Sequence, residues 1–200
     1  MKHSDDSWIS ISDMMAGLMM LFLVIAISYM LEEQQSKQKY QAALNKELHL
    51  EFELDLDRWN AEILDDNTIR FKSPDVLFAQ GNSKITDEYV SILKDFYPRY
   101  INVLENQEFK DSIKEIRIEG HTSSAWNRYT THKDSYLKNM ELSQNRAMSV
   151  LKQCFEIENS KWIDSNLRAN GMGSSELILH SDNSENKSAS RRVEFKVVTL

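Results

Sequence analysis

The sequence predicts an α+β protein that one N-terminal helix anchors in a membrane. A run of 18 residues without formal charge, at 14–31, precedes a polar connector and a region of mixed patterns. Alternating apolar residues at 113–118 and 192–197 predict strands, and helical spacing at 139–155 predicts a helix. Because each of these elements has one apolar face, the economical fold is a sheet covered by helices.

The apolar segment is long enough to cross a bilayer. As a helix, residues 14–31 extend about 27 Å, close to the thickness of the hydrocarbon core. Trp8 and Tyr29 suit the two membrane interfaces, and Glu32 begins a polar run that closes the span. The expected organisation is a leader at 1–12, a transmembrane helix at 13–31, a connector at 32–56 and a folded domain at 57–200.

A cleaved signal peptide is the alternative interpretation, because small residues at 26–28 loosely resemble a cleavage site. Against cleavage, the leader carries Asp5 and Asp6 beside a single lysine, Lys2. Bulky residues also extend the apolar run to Leu31, past the candidate cut. An uncleaved anchor fits these features better. Counts of lysine and arginine do not decide the orientation of the span.

Composition excludes several function classes. With 24 basic and 31 acidic residues, the net charge of −7 argues against a nucleic-acid partner, which needs a basic surface. The single cysteine, Cys154, excludes an intramolecular disulfide, and its helical spacing from Ala147 and Val150 predicts a core position. The five histidines show no metal-ligand spacing, and no nucleophile, base and oxyanion set can be assembled. We therefore predict no metal site, no cofactor and no hydrolytic activity.

Asp13 stands at the head of the apolar run. An ionised carboxylate at membrane depth is costly, and it is usually retained for an ion or proton path. Alternatively, Asp13 lies at the headgroup level and caps the helix in the company of Ser10 and Ser12. Depth alone leaves both interpretations open.

The connector has two possible structures. Residues 32–46 are rich in good helix formers, which predicts that the membrane helix continues as a polar stalk. A seam of apolar residues recurs every four positions and could meet the same seam in a second chain: Tyr40, Leu44, Leu48, Phe52 and Leu56. Residues 48–56 also alternate between apolar and polar, as strands do, so helix and strand both stay open there.

Turn residues mark the beginning of the folded domain. Residues 61–64 and 68–71 flank a turn at 65–67 and predict a hairpin, which Pro74 ends. The pattern becomes helical from Ile85, and Pro98 is expected near the end of that helix.

Five short motifs follow one another in the second half of the chain: DVLF at 75–78 with Gly81, IEGHT at 118–122, LSQNRA at 142–147, GMG at 171–173 and RRV at 191–193. In this order and spacing, they resemble the signature of the OmpA-like peptidoglycan-binding domain, over about residues 68–200. The resemblance implies an OmpA/MotB-like α/β sandwich. The GMG motif is too short for a nucleotide loop and is expected to permit a turn.

The resemblance also implies a site for the peptide stem of peptidoglycan. Arg146 would grip a carboxylate through two parallel charge-assisted hydrogen bonds. Thr122, Asn139 and Leu142 would line the same pocket, with Asn139 facing peptide amides. The alternative is that Arg146 forms a surface salt bridge with Glu141 or Glu119.

Ser123 departs from the family pattern, because this position is usually an aspartate that pairs with the ammonium of the diaminopimelate stem. Asp134, in an expected loop at 124–136, is a candidate substitute on sequence proximity alone. Arg191 and Arg192 could form a second anion contact, although an arginine pair on an edge strand is more often structural.

Residues 8–23, WISISDMMAGLMMLFL, resemble the transmembrane segment of MotB-like stator subunits, and in particular the ZorB family of Zorya anti-phage systems. The resemblance implies that Asp13 accepts and releases the translocated ion. It also implies a homodimer inside a ZorA-like pentameric ring, a cytoplasmic N-terminus and a periplasmic domain bound to peptidoglycan. The connector is shorter than that of flagellar MotB, which favours the ZorB family.

Several alternatives stay open at this point. A proton is the default ion, but a lone carboxylate also suits sodium. A flagellar MotB-type stator subunit would share the same features. A passive tether that binds peptidoglycan and moves no ions is a further alternative.

Overall fold

The computed structural model describes residues 3–200 apart from 73, 80, 81 and 127–129, and it excludes the side chains of residues 3–10, 74 and 75. The expectations for Lys2, Asp5, Asp6, Trp8 and Ser10 therefore lie outside the described side chains, as do those for Asp75 and Gly81. The chain forms two compact units, Met1–Ala42 and Ala43–Leu200.

Helix α1 spans His3–Trp59. Its most apolar 18-residue window has a mean hydropathy of 2.3 and is not buried within the chain, so α1 is long and apolar enough to cross a membrane. Asp13 is exposed, and Gly17 lies one turn further along the same helical face. The predicted helical connector is confirmed.

The last part of α1 belongs to the second unit. Leu44, Leu48 and Phe52 are fully buried there, whereas Leu54 is 97% exposed. Residues 48–56 are helical, and the apolar residues among them lie on both the buried and the exposed face of the helix. The strand interpretation is therefore wrong. Because Leu44, Leu48 and Phe52 pack into the core of their own chain, this part of the seam does not lie open to a second chain.

In the described part of the second unit, five strands form one sheet: β1 (Ala61–Ile63), β2 (Ile69–Phe71), β3 (Ile113–His121), β4 (Leu167–Gly173) and β5 (Val193–Thr199). Their order in the sheet is β1-β2-β5-β3-β4. Only β3 and β4 pair in parallel; the other neighbours are antiparallel. The predicted hairpin is confirmed as β1 and β2. The arginine pair precedes β5, which is central, so the expected edge-strand location is wrong.

Helices complete the α+β sandwich that the sequence predicts, and the predicted fold class is confirmed. Phe96 packs against Phe71 and Phe195 of the sheet, and its ring centroid lies 5.1 and 5.0 Å from theirs. The helices are α2 (Pro74–Leu77), α3 (Asp87–Leu104), α4 (His132–Ile157), α5 (Lys161–Asn166) and α6 (Lys187–Ser190), with a 3₁₀ turn at Lys110–Ser112.

Pro98 lies inside α3 and does not end it. Beyond it, Tyr100, Ile101 and Leu104 are at most 1% exposed. A proline inside a helix costs about 3 kcal/mol, whereas burying one large apolar side chain contributes about 1.5–3 kcal/mol. Three such side chains outweigh the proline, so the helix continues.

Helix α4 begins seven residues before the predicted start at Asn139. Thr131 caps it, accepting a hydrogen bond from the Asp134 backbone N–H at 3.1 Å. Residues 132–136 are therefore helical, although the sequence suggested a loop. The parallel strand β4 was not predicted, and the GMG motif at 171–173 forms its last three residues. Gly173 has a positive φ of 57°, and the Ser175 N–H donates to the Met172 carbonyl oxygen at 3.2 Å, so a turn follows at the end of the motif, as expected.

Candidate functional site

Two glycines allow α4 to lie directly on the sheet. A Cβ atom added to Gly171 would lie 2.5 Å from the Gln144 backbone nitrogen, and one added to Gly120 would clash with the Ser143 carbonyl oxygen. The Ser143 hydroxyl accepts a hydrogen bond from the Gly173 N–H at 2.9 Å. This close approach fixes α4 beside the carboxyl ends of β3 and β4.

A cavity of about 290 Å³ opens where β3 ends beside α4. All four side chains that the resemblance to the OmpA-like domain assigned to one pocket line it: Thr122, Asn139, Leu142 and Arg146. Ser123, Trp126 and Arg191 also contribute to the wall. The structure thus brings the expected residues together, while their binding role stays a prediction.

Arg146 is held in place on two sides. Its Nε donates a hydrogen bond to the Asn82 carbonyl oxygen at 3.1 Å, and its guanidinium carbon lies 4.8 Å from the Phe78 ring centroid. Only 7% of the residue is exposed. Since Gly120 faces α4, strand alternation turns Glu119 to the opposite face of the sheet, so the alternative salt bridge from Arg146 to Glu119 is wrong.

Asn139 joins α4 to the loop after β3. Its side-chain amide donates to the Ser124 carbonyl oxygen at 3.4 Å, and the residue is buried. Thr122 is also buried, and its hydroxyl has no hydrogen-bond partner among the described residues. The wall therefore offers polar groups to a ligand with amide or carboxylate functions.

Asp134 is engaged at the start of α4, where its own helix begins. Its carboxylate accepts a hydrogen bond from the Thr131 hydroxyl at 2.7 Å, at the start of α4, and it does not line the cavity. Glu185 approaches the loop instead, and Ser124 donates to it from its backbone nitrogen at 2.8 Å and from its hydroxyl at 2.5 Å. The 61-residue separation of this pair explains why no sequence signal revealed it.

The two arginines before β5 have different environments. Arg191 lines the cavity. Arg192 is buried and pairs with Glu194 at 2.6 Å, and it also donates to the Glu176 carbonyl oxygen at 3.0 Å. Arg192 is therefore structural, whereas Arg191 is placed to contact a ligand.

Three buried residues on the face of the sheet away from α4 have the arrangement of a cation site. One carboxylate oxygen each of Glu119 and Glu194 and one ring nitrogen of His121 lie within 4.8 Å of one another. Sequence spacing missed this group because Glu194 comes from β5. Arg70 and Arg192 already donate to Glu194, at 2.7 and 2.6 Å. These guanidinium groups supply the positive charge that a metal ion would bring, so we interpret the group as a structural charge network.

The two glutamates of this network have opposite pKa shifts. Burial raises the pKa of the Glu119 carboxyl. Burial also opposes ionisation of Glu194, but nearby His121 and Arg192 hold the pKa of that carboxyl well below its usual range. Glu194 is therefore the carboxylate that the arginines stabilise in its charged form.

The cavity suits binding more than catalysis. Its described lining includes no histidine, carboxylate or cysteine that could transfer a proton or attack a substrate. Cys154 is buried in the core, as its helical spacing predicted, and burial raises the pKa of its thiol. What the cavity offers is two guanidinium groups, hydroxyls and amides.

Comparison with known proteins agrees with the fold and the motifs. Residues 77–191 match the OmpA family, so the C-terminal domain is an OmpA-family domain. Zorya protein ZorB from Escherichia coli (strain ATCC 8739) is 42% identical over 213 residues, covering 98% of this chain and 89% of the relative. A second Zorya protein ZorB, from E. coli O139:H28, is 26% identical and covers 98% of this chain and 83% of its own length. The chain belongs to the ZorB family.

Solved structures support the same fold. A MotB-like protein from Desulfovibrio vulgaris has a TM-score of 0.60 at 21% identity, covering 84% of this chain and 96% of that one. The cell wall anchor of the T6SS from Pseudomonas aeruginosa has a TM-score of 0.52 at 19% identity, with coverages of 76% and 97%. At these identities the likeness concerns the fold alone.

Proposed function

We propose that the chain is the B subunit of an ion-driven membrane stator that is anchored to peptidoglycan and acts in Zorya anti-phage defence. The observation that carries the proposal is the 42% identity to a Zorya protein ZorB over 98% of the chain. In this proposal, α1 crosses the bacterial inner membrane once, with its N-terminus in the cytoplasm and the OmpA-family domain in the periplasm.

Asp13 is the proposed ion-translocating residue. It is the one acidic residue within residues 11–31, an otherwise uncharged stretch of α1. An ionisable group at this depth needs polar partners from other chains, which two copies of this subunit inside a pentameric ring of A subunits would supply. The ion that we propose is a proton, driven by about 2.3 kcal/mol per charge per 100 mV of membrane potential.

The cavity beside α4 is the proposed wall-binding site. Arg146 and Arg191 offer two cationic groups to a carboxylate, and Asn139 and Thr122 offer polar groups to peptide amides. A peptidoglycan stem carries both functions. Holding this domain to an immobile polymer would let a surrounding ring turn against a fixed axle.

Replacing Asp13 tests the motor. Asp13→Asn should abolish phage protection in cells that carry the neighbouring defence genes, because an amide cannot release and rebind a proton. Protein abundance in the membrane and co-sedimentation with sacculi should stay unchanged. Glu32→Gln, which alters a carboxylate just beyond the span, is the matched control and should keep protection.

A passive tether is the second candidate, and the cavity alone would serve it equally well. It predicts that Asp13→Asn protects cells as fully as the parent protein does. A flagellar stator subunit predicts restored swimming in cells that lack their own B subunit, with no effect on phage. Either result would overturn the defence motor.

A further inference from the structure

The cavity has an uneven charge distribution. Arg146 and Arg191 bring positive charge to its wall, and no carboxylate stands among its described lining residues. A ligand with only negative groups would suit these two arginines. A ligand that also carries an ammonium group would need an acid within reach of the same wall.

Glu185 supplies an acid beside this wall. Ser124 lies between the lining residues Ser123 and Ala125, and it donates to both carboxylate oxygens of Glu185, at 2.8 Å from its backbone nitrogen and 2.5 Å from its hydroxyl. The Ser124 carbonyl oxygen in turn accepts a hydrogen bond from Asn139. Glu185 is thus joined to the cavity wall through a single residue.

The segment that carries Glu185 is fixed at both ends. Glu185 forms a β-bridge with Leu179, and Asn186 caps α6 by accepting a hydrogen bond from the Ala189 N–H at 3.0 Å. Arg191 follows directly after α6 and lines the cavity. One short segment therefore carries Arg191, which lines the cavity, and Glu185, which accepts hydrogen bonds from Ser124, the residue between two lining residues.

We propose that Glu185 is a specificity-determining residue that binds the ammonium group of a zwitterionic ligand whose carboxylate is bound by Arg146. The ligand chemistry is an amino-acid end with both charges on one carbon, as in the side-chain end of diaminopimelate. Each Glu185 oxygen keeps a second lone pair after accepting from Ser124, so the carboxylate can still accept from an ammonium. This inference rests on the proposed binding of peptidoglycan.

The test uses calorimetry to measure the binding of two soluble peptides to the full-length protein in detergent. One is the stem tripeptide ending in meso-diaminopimelate, and the other is the same peptide with the side-chain amine acetylated. The parent protein should prefer the free amine at least about tenfold, because acetylation removes a charge-assisted hydrogen bond. Glu185→Gln should bind both peptides equally, at the affinity that the parent has for the acetylated one.

Two further variants separate recognition from structure. Glu185→Asp keeps the charge and should retain a preference for the free amine, whereas a purely structural role predicts no such rescue. Asp134→Asn is the matched control and should leave the preference unchanged. If Glu185→Gln keeps the preference of the parent, the inference about Glu185 fails while wall binding stands. If the parent binds neither peptides nor sacculi, the proposed wall binding itself fails.

Discussion

The guanidinium carbon of Arg146 lies 4.8 Å from the centroid of the Phe78 ring. A cation over an aromatic face gains about 0.5–2 kcal/mol, depending on how far it is desolvated. Arg146 is 7% exposed, so Phe78 both orients the guanidinium and shields it from water. The proposed carboxylate grip therefore depends on a residue some seventy positions away in the chain.

Loosening this support should weaken wall binding. Phe78→Leu keeps an apolar side chain but removes the aromatic face, and we expect about a 3- to 10-fold loss of affinity for sacculi. Arg146→Lys should lose at least about tenfold, since an ammonium cannot form two parallel bonds to a carboxylate. Co-sedimentation at several protein concentrations measures both effects. Arg168→Lys, away from the cavity, is the control, and an equal loss there would point to general damage.

The end of α1 should be part of the folded domain. Phe52 is fully buried between Trp59 and Phe96, so Phe52→Ala should lower the free energy of unfolding by about 3–5 kcal/mol. Leu54→Ala removes a side chain on the same helix that is 97% exposed, and it should change stability by less than about 0.5 kcal/mol. Urea unfolding of the full-length protein in detergent measures the difference.

The same packing bears on the domain boundary, which stays a prediction at residue 57. A fragment that begins at Ala43 keeps Leu44, Leu48 and Phe52, and it should unfold cooperatively. A fragment that begins at residue 57 lacks these side chains and should not. Equal cooperativity of the two fragments would show that the helix end is dispensable.

The glycines under α4 should not tolerate a methyl group. Gly171→Ala would place Cβ 2.5 Å from the Gln144 backbone nitrogen, and Gly120→Ala would force a similar clash with Ser143. Because backbone atoms cannot move aside as a flexible side chain can, each change should cost at least about 2 kcal/mol of stability. Gly17→Ala meets nothing within 4 Å and should leave domain unfolding unchanged. Thermal unfolding followed by circular dichroism tests all three.

Ionisation of the two buried glutamates should change the free energy of unfolding in opposite directions. The pKa of Glu194 is lowered in the folded protein, so its charge stabilises the fold above the ordinary value of 4.5, and that stabilisation is lost as pH falls through the lowered pKa. Glu194→Gln should therefore cost about 3 kcal/mol at pH 7, because it leaves buried arginines without their partner. The difference between parent and variant should shrink below about pH 4.5.

Glu119 should behave in the opposite way. Its pKa is raised in the folded protein, so ionisation favours the unfolded chain, and the contribution of the protonated form is lost as pH rises through the raised pKa. Glu119→Gln should be at least as stable as the parent at pH 7. Urea titrations at pH 4 and pH 7 compare the two variants, and a loss at pH 7 equal to that of Glu194→Gln would contradict the assignment.

Much of the site could be predicted because its residues lie in short motifs. Asn139, Leu142 and Arg146 recur at three- and four-residue steps, and helical periodicity alone places them on one face. The start of α4 was missed because the capping hydrogen bond of Thr131 outweighs the weak helical pattern before Asn139. Strand β4 was missed because its two glycines interrupt the apolar alternation, and a parallel partner stabilises it through backbone hydrogen bonds.

The sequence by itself determined the apolar span, the position of Asp13 and the core location of Cys154, whereas the residues around Arg146 came from the resemblance of its motifs to the OmpA-like domain. The span and the core position depend on local periodicity and on the types of neighbouring side chains. Only the tertiary structure decided that Phe52 belongs to the core of the domain, that Glu194 joins His121, and that Glu185 lies beside Ser124. Each of these contacts joins segments that are far apart in the sequence, and strand order and chain reversal bring the segments together. Because burial of both segments stabilises the contact, no local pattern in either one reveals it.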